Sequence, residues 1–339
     1  MTTDAAGAAR NRPDTGILVM SLDFELAWGL RDHVREDHWQ TAAEGTPQAA
    51  PKLLQTLQRH GVHATWAAVG FLFLSGWDEL PAVLPQAAAG EGRPLYAEAL
   101  RAAAERRQEV LHFAPDLIRA IMRTPHQELA THTLSHYCCL GPDHTPEAFR
   151  DDLRAAIEVA ERFGVRPRTI IFPRNQFTRE CLKICAEQGI TCYRGVLPGW
   201  MYGPRAPGDR AALLRRGLRV VSEHLAIFGL GCYPLDSLGR ELPLDLPASR
   251  QLRPLRPPAA LEGLRLKQIR AGMTLAAREG MIYHLWSHPH NFAGDTDRKL
   301  RSLEQVLEHF DRLHERYGMA SMNMAEVVAL VNPGGGAQP

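Results

Sequence analysis

Short apolar runs alternate along this chain with longer stretches in which apolar residues recur at helical spacing. That alternation predicts repeated strand–helix units and a largely parallel sheet. The run Gly16-Ile-Leu-Val-Met-Ser-Leu-Asp23 reads as a buried first strand with acidic groups at its C-terminal end. A helix is expected over 47–60, stopped by Gly61, and a second strand over 62–70. Residues 77–125 look like a helical insert, and 129–132 reads as a short strand. Thr145-Pro-Glu opens the next helix with an N-cap and a proline at its first position, and Gly164 closes it. A strand over 169–173, a helix ending at Gly189 and a strand over 190–193 follow. Residues 198–258 are rich in Gly, Pro, Arg and Leu and suggest no ordered pattern. A strong helix over 261–279, a strong strand over 280–288 and a last helix over 297–317 complete the expectation. One domain over 15–331 is predicted, between a disordered lead at 1–14 and a disordered tail at 332–339.

Composition changes this picture little. With 339 residues, 45% of them hydrophobic and 23% charged, the chain is an ordinary globular protein. A formal charge of +1 gives no push toward nucleic acid or an anionic membrane, and no apolar run is long enough to span a bilayer. The first residues carry no apolar signal segment. The six cysteines form no paired CxxC pattern and read as small buried hydrophobes, so a reduced, cytoplasmic chain is expected. The sequence leaves the oligomeric state open.

The chemistry lies in separated segments. His132 and His136, four residues apart in His-Thr-Leu-Ser-His, can turn both rings toward one point on a helix turn or a tight loop. In Ser21-Leu-Asp-Phe-Glu25, Asp23 and Glu25 would project to the same side of a strand. One carboxylate with two imidazoles leaves open positions on a divalent metal, and the second carboxylate is free to act as a base. On the last strand His284, Trp286 and His288 share one face, with His288 nearest the C-terminal end. Such strand ends are where α/β barrels keep their chemistry.

Together Ser21-Leu-Asp-Phe-Glu25, His132-Thr-Leu-Ser-His136, Phe172-Pro-Arg-Asn-Gln176 and Trp286-Ser-His-Pro-His290 resemble the polysaccharide deacetylase family, the NodB-homology domain of carbohydrate esterase family four. The segment Gly61-Val-His-Ala-Thr-Trp-Ala-Ala-Val-Gly70 adds weaker support. The resemblance implies an α/β fold, an irregular (β/α) barrel with seven or eight mostly parallel strands. It also implies a metal-dependent hydrolase of amides or esters. By the same resemblance Asp23 is the catalytic base, Glu25, His132 and His136 hold the metal, Arg174 holds the base and His288 is the general acid. The family's commonest pattern has two adjacent aspartates, whereas Phe24 intervenes here and Glu25 replaces the second. Which of Asp23 and Glu25 is the ligand therefore stays open, and His284 or His290 could replace His288 as acid. Asn175-Gln176 stand where the family has a tyrosine after its arginine.

The expected reaction is removal of an N-acetyl group from an amino-sugar-containing substrate, whether glycan, sugar precursor or glycosylated metabolite. Zinc is the expected metal, replaceable by cobalt or nickel. Trp28, Asn175, Trp286 and His284 are candidate substrate contacts, with aromatic packing the plainer reading of Trp28. Arginines between 205 and 219, with Arg250, Arg253 and Arg256, could meet an anionic group on the substrate, though a solvated surface is the plainer reading. Other readings are a deformylase or cyclic amidase on the same scaffold and an inactive glycan-binding module. A non-haem iron oxygenase shares the ligand set but usually uses an antiparallel double sheet.

Overall fold

A computed structural model describes residues 15–30, 36–85, 96–105, 107–141, 144–197, 229–254 and 261–333. Most of the Arg/Pro-rich segment, Arg205 to Arg219 and Arg256 included, lies outside them, as do the N-terminal lead and the last six residues.

The strands are β1 (Ile17–Phe24), β2 (Ala64–Ala68), β3 (Gln127–Thr131), β4 (Thr169–Ile170), β5 (Cys192–Tyr193), β6 (Tyr233–Pro234), β7 (Leu244–Asp245), β8 (Arg250–Gln251), β9 (Met281–Ser287) and β10 (Ala320–Met322). They form one sheet in the order β6-β9-β1-β2-β3-β4-β5-β7, with β10 on β1 and β8 on β9. Every pairing is parallel except β6 with β9. Residues 244–252 join the two ends of the curled sheet. Leu246 and Ala248 donate to Tyr193 and Gly195, and Ser249 and Leu252 donate to His284 and Trp286. The expected irregular, mostly parallel (β/α) barrel is the fold.

Strand β1 is buried along its whole length because both faces are covered. Leu18, Met20, Leu22 and Phe24 pack outward in the large core, whereas Ile17 and Val19 line the interior with Ala67, Ala130, Ile171, Cys192 and Ile282. Ser21 and Asp23 continue the inner row, and on β9 His284 and Trp286 continue the row of Ile282.

The helices are α1 (Ala27–Leu30), α2 (Glu36–Arg59), α3 (Ala97–Ala104), α4 (Pro115–Arg123), α5 (Pro146–Glu161), α6 (Arg179–Glu187), α7 (Glu262–Glu279), α8 (Thr296–Tyr317) and α9 (Met324–Val331). Helix α2 begins well before the expected Pro47 and runs through Pro47 and Pro51. Gly45 lets it approach the segment after β9, since a Cβ there would lie 2.8 Å from the Ala293 methyl. Tertiary packing has overridden the local stop signals. Between β2 and β3 the expected helical insert consists of short turns plus α3 and α4 in its described parts.

Strand β10 and α9 fall after the last expected helix. Helix α9 starts with a capping box of Asn323 and Glu326, and its Met324 and Val327 fill the interior. Met324 and Ala325 donate to Thr65 Oγ1 and Glu128 Oε2 near the strand N-termini, so α9 closes that end and leaves the C-terminal end for the site. Among the described residues no helix is long and apolar enough to cross a membrane.

Candidate active site

Strand β1 ends at Phe24, so Asp23 lies on the strand and Glu25 just beyond it. A left-handed Leu26 (φ 45°) turns the chain into α1. Strand β3 ends at Thr131 and delivers His132, after which the chain forms a loop rather than a helix turn, with positive φ at Thr133 and His136. Side chains hold that loop. Thr133 donates from its N–H to Thr131 Oγ1 and accepts at Oγ1 from Tyr137, while Asp152 of α5 accepts from Leu134 N–H at 2.8 Å and Ser135 Oγ at 2.6 Å.

The loop brings His132 Nε2 to 3.5 Å and His136 Nε2 to 3.3 Å from Glu25 Oε2. All three residues are buried, and their ligand atoms lie within 4.8 Å of one another. His132 donates from Nδ1 to the Ile171 carbonyl at 2.7 Å, which fixes Nε2 as the lone-pair nitrogen. That Nε2 is buried without a hydrogen-bond partner. Gly29 forms the wall beside it, where a Cβ would lie 2.3 Å from Glu25 Oε2 and 2.8 Å from His136 Nε2. An orphaned imidazole nitrogen facing a carboxylate and a second imidazole is the donor set of a divalent metal.

Asp23 is held differently. Arg194, fully buried just after β5, donates from Nη1 to Asp23 Oδ1 at 2.6 Å and from Nη2 to Oδ2 at 2.7 Å. Its Nη1 also donates to Ser21 Oγ, its Nε and Nη2 donate to Asn175 Oδ1, and its guanidinium stacks 4.4 Å from the Trp286 ring. The arginine on Asp23 is therefore Arg194 and not the expected Arg174. Strand β4 stops at Ile170, and the turn Pro173–Asn175 puts both Arg174 (φ 59°) and Asn175 (φ 52°) in the left-handed region, leaving Arg174 exposed. Asn175 and Trp286, expected at the substrate, both support Arg194. One signal for Arg194 was present: it shares the inward parity of Cys192 two residues earlier.

Residues 35–193 match the family model described as polysaccharide deacetylase. They form a polysaccharide deacetylase domain. The matched stretch contains the His132–His136 loop but begins after Asp23 and Glu25 and ends one residue before Arg194. The structure resembles a Mycobacterium smegmatis protein described as a polysaccharide deacetylase, at 17% identity, with 98% of this chain and 95% of that one covered and a TM-score of 0.60. A polysaccharide deacetylase of Pseudomonas aeruginosa PAO1 follows at 14% identity, 96% and 94% coverage and a TM-score of 0.57. Puue allantoinase shares 13% identity over 95% and 92% of the chains, with a TM-score of 0.55. At these identities the likeness is one of fold. No protein of curated function matches the sequence.

Strand β9 and the turn that follows it supply the opposite wall of the site. His288 Nε2 lies 3.7 Å from both Asp23 Oδ2 and Glu25 Oε1, and His290 Nδ1 lies 3.7 Å from Glu25 Oε1. His284 sits deeper, its Nε2 2.9 Å from Ser21 Oγ, so it braces the clamp and does not reach the mouth. Trp28, another expected substrate contact, belongs to the core: its Nε1 donates to the His112 carbonyl, and it packs on Phe71, Trp77 and Phe113. Its aromatic partners come from the β2–β3 insert, which the chain pattern alone could not pair with it.

Electrostatics separates the groups. Burial pushes the Asp23 carboxyl up, but Arg194, helped by His288, outweighs it and holds Asp23 below its usual value. Burial is likewise the largest influence on Glu25, yet His288, His132 and His136 hold it well below the carboxylate range. Burial lowers the His288 imidazole against the pull of Glu25 and Asp23. It drives His284 and His290 down to about 3, aided by Arg194 and His288 respectively. The pocket thus offers two ionised carboxylates, one clamped and one facing imidazole nitrogens.

Proposed function

We propose that this protein is a metal-dependent deacetylase that hydrolyses the N-acetyl amide of an amino-sugar-containing substrate, releasing acetate and a free amine. The observation that carries this reading is the pairing of an arginine-clamped Asp23 with the Glu25–His132–His136 triad, whose His132 Nε2 has no hydrogen-bond partner among the described residues. Glu25, His132 and His136 would hold the ion, and one carboxylate with two imidazoles suits zinc, with cobalt or nickel as substitutes. The chemistry such an ion supplies is that of a Lewis acid, polarising the scissile carbonyl and acidifying water.

The chain's own residues do the rest. Asp23 accepts the proton of the attacking water, and Arg194 fixes the carboxylate plane and keeps it ionised. His288, 3.7 Å from both carboxylates and neutral at rest, takes up the proton that Asp23 receives from water and passes it to the nitrogen of the departing amine as the carbon–nitrogen bond breaks. Asn175 and Ser21 hold Arg194, and His284 holds Ser21, so the base rests on a chain of buried hydrogen bonds.

Acetate release from chitooligosaccharides and N-acetylated sugar conjugates, with formyl and cyclic amides in the same panel, tests the reaction. Zinc content is measured on the same samples. Asp23→Asn and His288→Ala should retain zinc and lose activity at least a hundredfold, whereas Glu25→Gln and His132→Ala/His136→Ala should lose both. Acetate release that survives Asp23→Asn and His288→Ala would refute these roles. Turnover confined to cyclic or formyl amides would transfer the same residues to that chemistry.

A further inference from the structure

A second set of ligand-type side chains converges away from the Glu25 triad. Cys139, His144 and Cys181 bring two sulfurs and a ring nitrogen within 4.8 Å of one another. Cys139 lies three residues beyond His136, and Cys181 lies in the first turn of α6, whose N-cap is Thr178. Both cysteines are fully buried, and their surroundings are apolar: Ile170, Phe172, Phe149 and Ile184 share their cluster.

The hydrogen bonds around the cluster fix its donors. The Tyr137 hydroxyl meets the N–H and the carbonyl of Thr145 at 3.2 Å and His144 Nδ1 at 3.0 Å, and with its proton on the carbonyl it accepts from Nδ1. That leaves the lone pair on His144 Nε2, which lies 4.0 Å from Cys181 Sγ. A metal-ligating histidine is oriented in this way, through a hydrogen bond from its other nitrogen. Thr178 Oγ1 donates to Cys181 Sγ at 3.2 Å, and a thiol in the first turn of a helix ionises readily.

We propose that Cys139, His144 and Cys181 bind a soft divalent ion of the zinc class, at a site distinct from the Glu25 triad. Two thiolates and one imidazole in an apolar setting select zinc over magnesium or calcium. The ion would fasten the chain that leaves His136 to the start of α6. With Asp152 holding Leu134 and Ser135, the loop carrying both histidines is then tied at two points. With three protein ligands the fourth position falls to water, and the ion's part is to hold the chain, outside the hydrolysis at Asp23.

Cobalt is the probe, because a thiolate–cobalt charge-transfer band in the near ultraviolet reports sulfur ligation; Glu25, His132 and His136 offer only oxygen and nitrogen, and Cys138→Ser controls for the thiol beside His136. Reduced wild type exchanged with Co2+ should show one such chromophore per chain. His132→Ala/His136→Ala should keep the band, and Cys181→Ser should abolish it. His144→Ala, a less buried change that keeps both thiols, should weaken cobalt affinity at this site at least tenfold. Absence of the band from wild type, or its survival in Cys181→Ser, would overturn the proposal. So would a Cys139–Cys181 disulfide in protein purified in the presence of zinc.

Discussion

Arg194 and Arg174 offer a direct contest between two arginines twenty positions apart. Arg194 and Asp23 form a two-pronged pair at 2.6 and 2.7 Å, with side chains 0% and 6% exposed. Replacing Arg194 by Met would strand the Asp23 charge in the barrel, a loss of about 3–5 kcal/mol for a broken buried pair. Arg194→Lys is the gentler variant, since it keeps the charge but gives up the fork, for a loss of about 1.5–3 kcal/mol per charged hydrogen bond. Because burial is the largest influence on Asp23 and Arg194 the largest counterweight, the carboxyl must then become harder to ionise. At roughly 1.4 kcal/mol per pH unit, the acid limb of the kcat/KM profile should move up by about one to two units. Arg174→Gln changes an exposed side chain and should leave stability within about 0.5 kcal/mol.

Two assays read this contest. Urea unfolding measures the pair without reference to any substrate, and the pH dependence of acetate release measures the base. In the expected result Arg194→Lys lowers the unfolding free energy and moves the acid limb alkaline, while Arg174→Gln does neither. An unmoved acid limb in Arg194→Lys with kcat within threefold of wild type would refute the clamp. So would a shift in Arg174→Gln equal to that of Arg194→Lys.

Gly29→Ala should place a methyl against Glu25 Oε2 and His136 Nε2, an overpacking cost of about 1–3 kcal/mol that equilibrium dialysis would read as a ten- to hundredfold weaker zinc affinity at the triad; unchanged affinity would show that the ion sits elsewhere. Two buried groups should pull stability in opposite directions between pH 7 and 5. Asp152 is raised from 3.8 to about 6, chiefly by burial, so its folded form takes up a proton before the unfolded chain does and stability should rise by about 1 kcal/mol as pH falls. His284 is lowered from 6.5 to about 3, so the unfolded chain protonates first and stability should fall by about 2 kcal/mol over the same window. Urea midpoints of Asp152→Asn and His284→Gln against wild type at both pH values separate the two, and parallel pH slopes in all three proteins would contradict both shifts.

How much was legible follows from the length of each periodic signal. Strands β1 and β9 are eight and seven residues long, enough for alternation to place Asp23 and His288 and to put His284 deeper. The His132–His136 spacing carried its own meaning, whichever backbone it adopted. Strands β4, β5, β7 and β8 have two residues each, too few for a period, and the arginine was lost there. A five-residue motif favoured Arg174, while only one step of parity pointed to Arg194. The bridging segment 244–252 hid in a Gly- and Pro-rich stretch because its pairing is divided between β5 and β9. Helix α9 is apolar along most of its eight residues, and only the barrel end it closes gives that pattern a purpose.

We propose that electrostatics decides which of the two carboxylates would meet a metal. Two buried carboxylates of like charge cannot both remain ionised without compensation. Asp23 has it already, from a guanidinium that engages both its oxygens and is itself braced by Ser21, Asn175 and Trp286. Among the described residues Glu25 meets no guanidinium: one oxygen faces His132 and His136, the other His288 and His290. With burial keeping His284, His288 and His290 toward their neutral forms, Glu25 is left to the imidazoles of its own triad, and together with Cys138 it raises His136 against the pull of burial. A cation drawn into this pocket therefore gains most at Glu25, where the lone pair of His132 Nε2 already waits. The residue between the acids does not blur their roles; it sends one carboxylate along the strand to the arginine and carries the other past the strand end to the histidines.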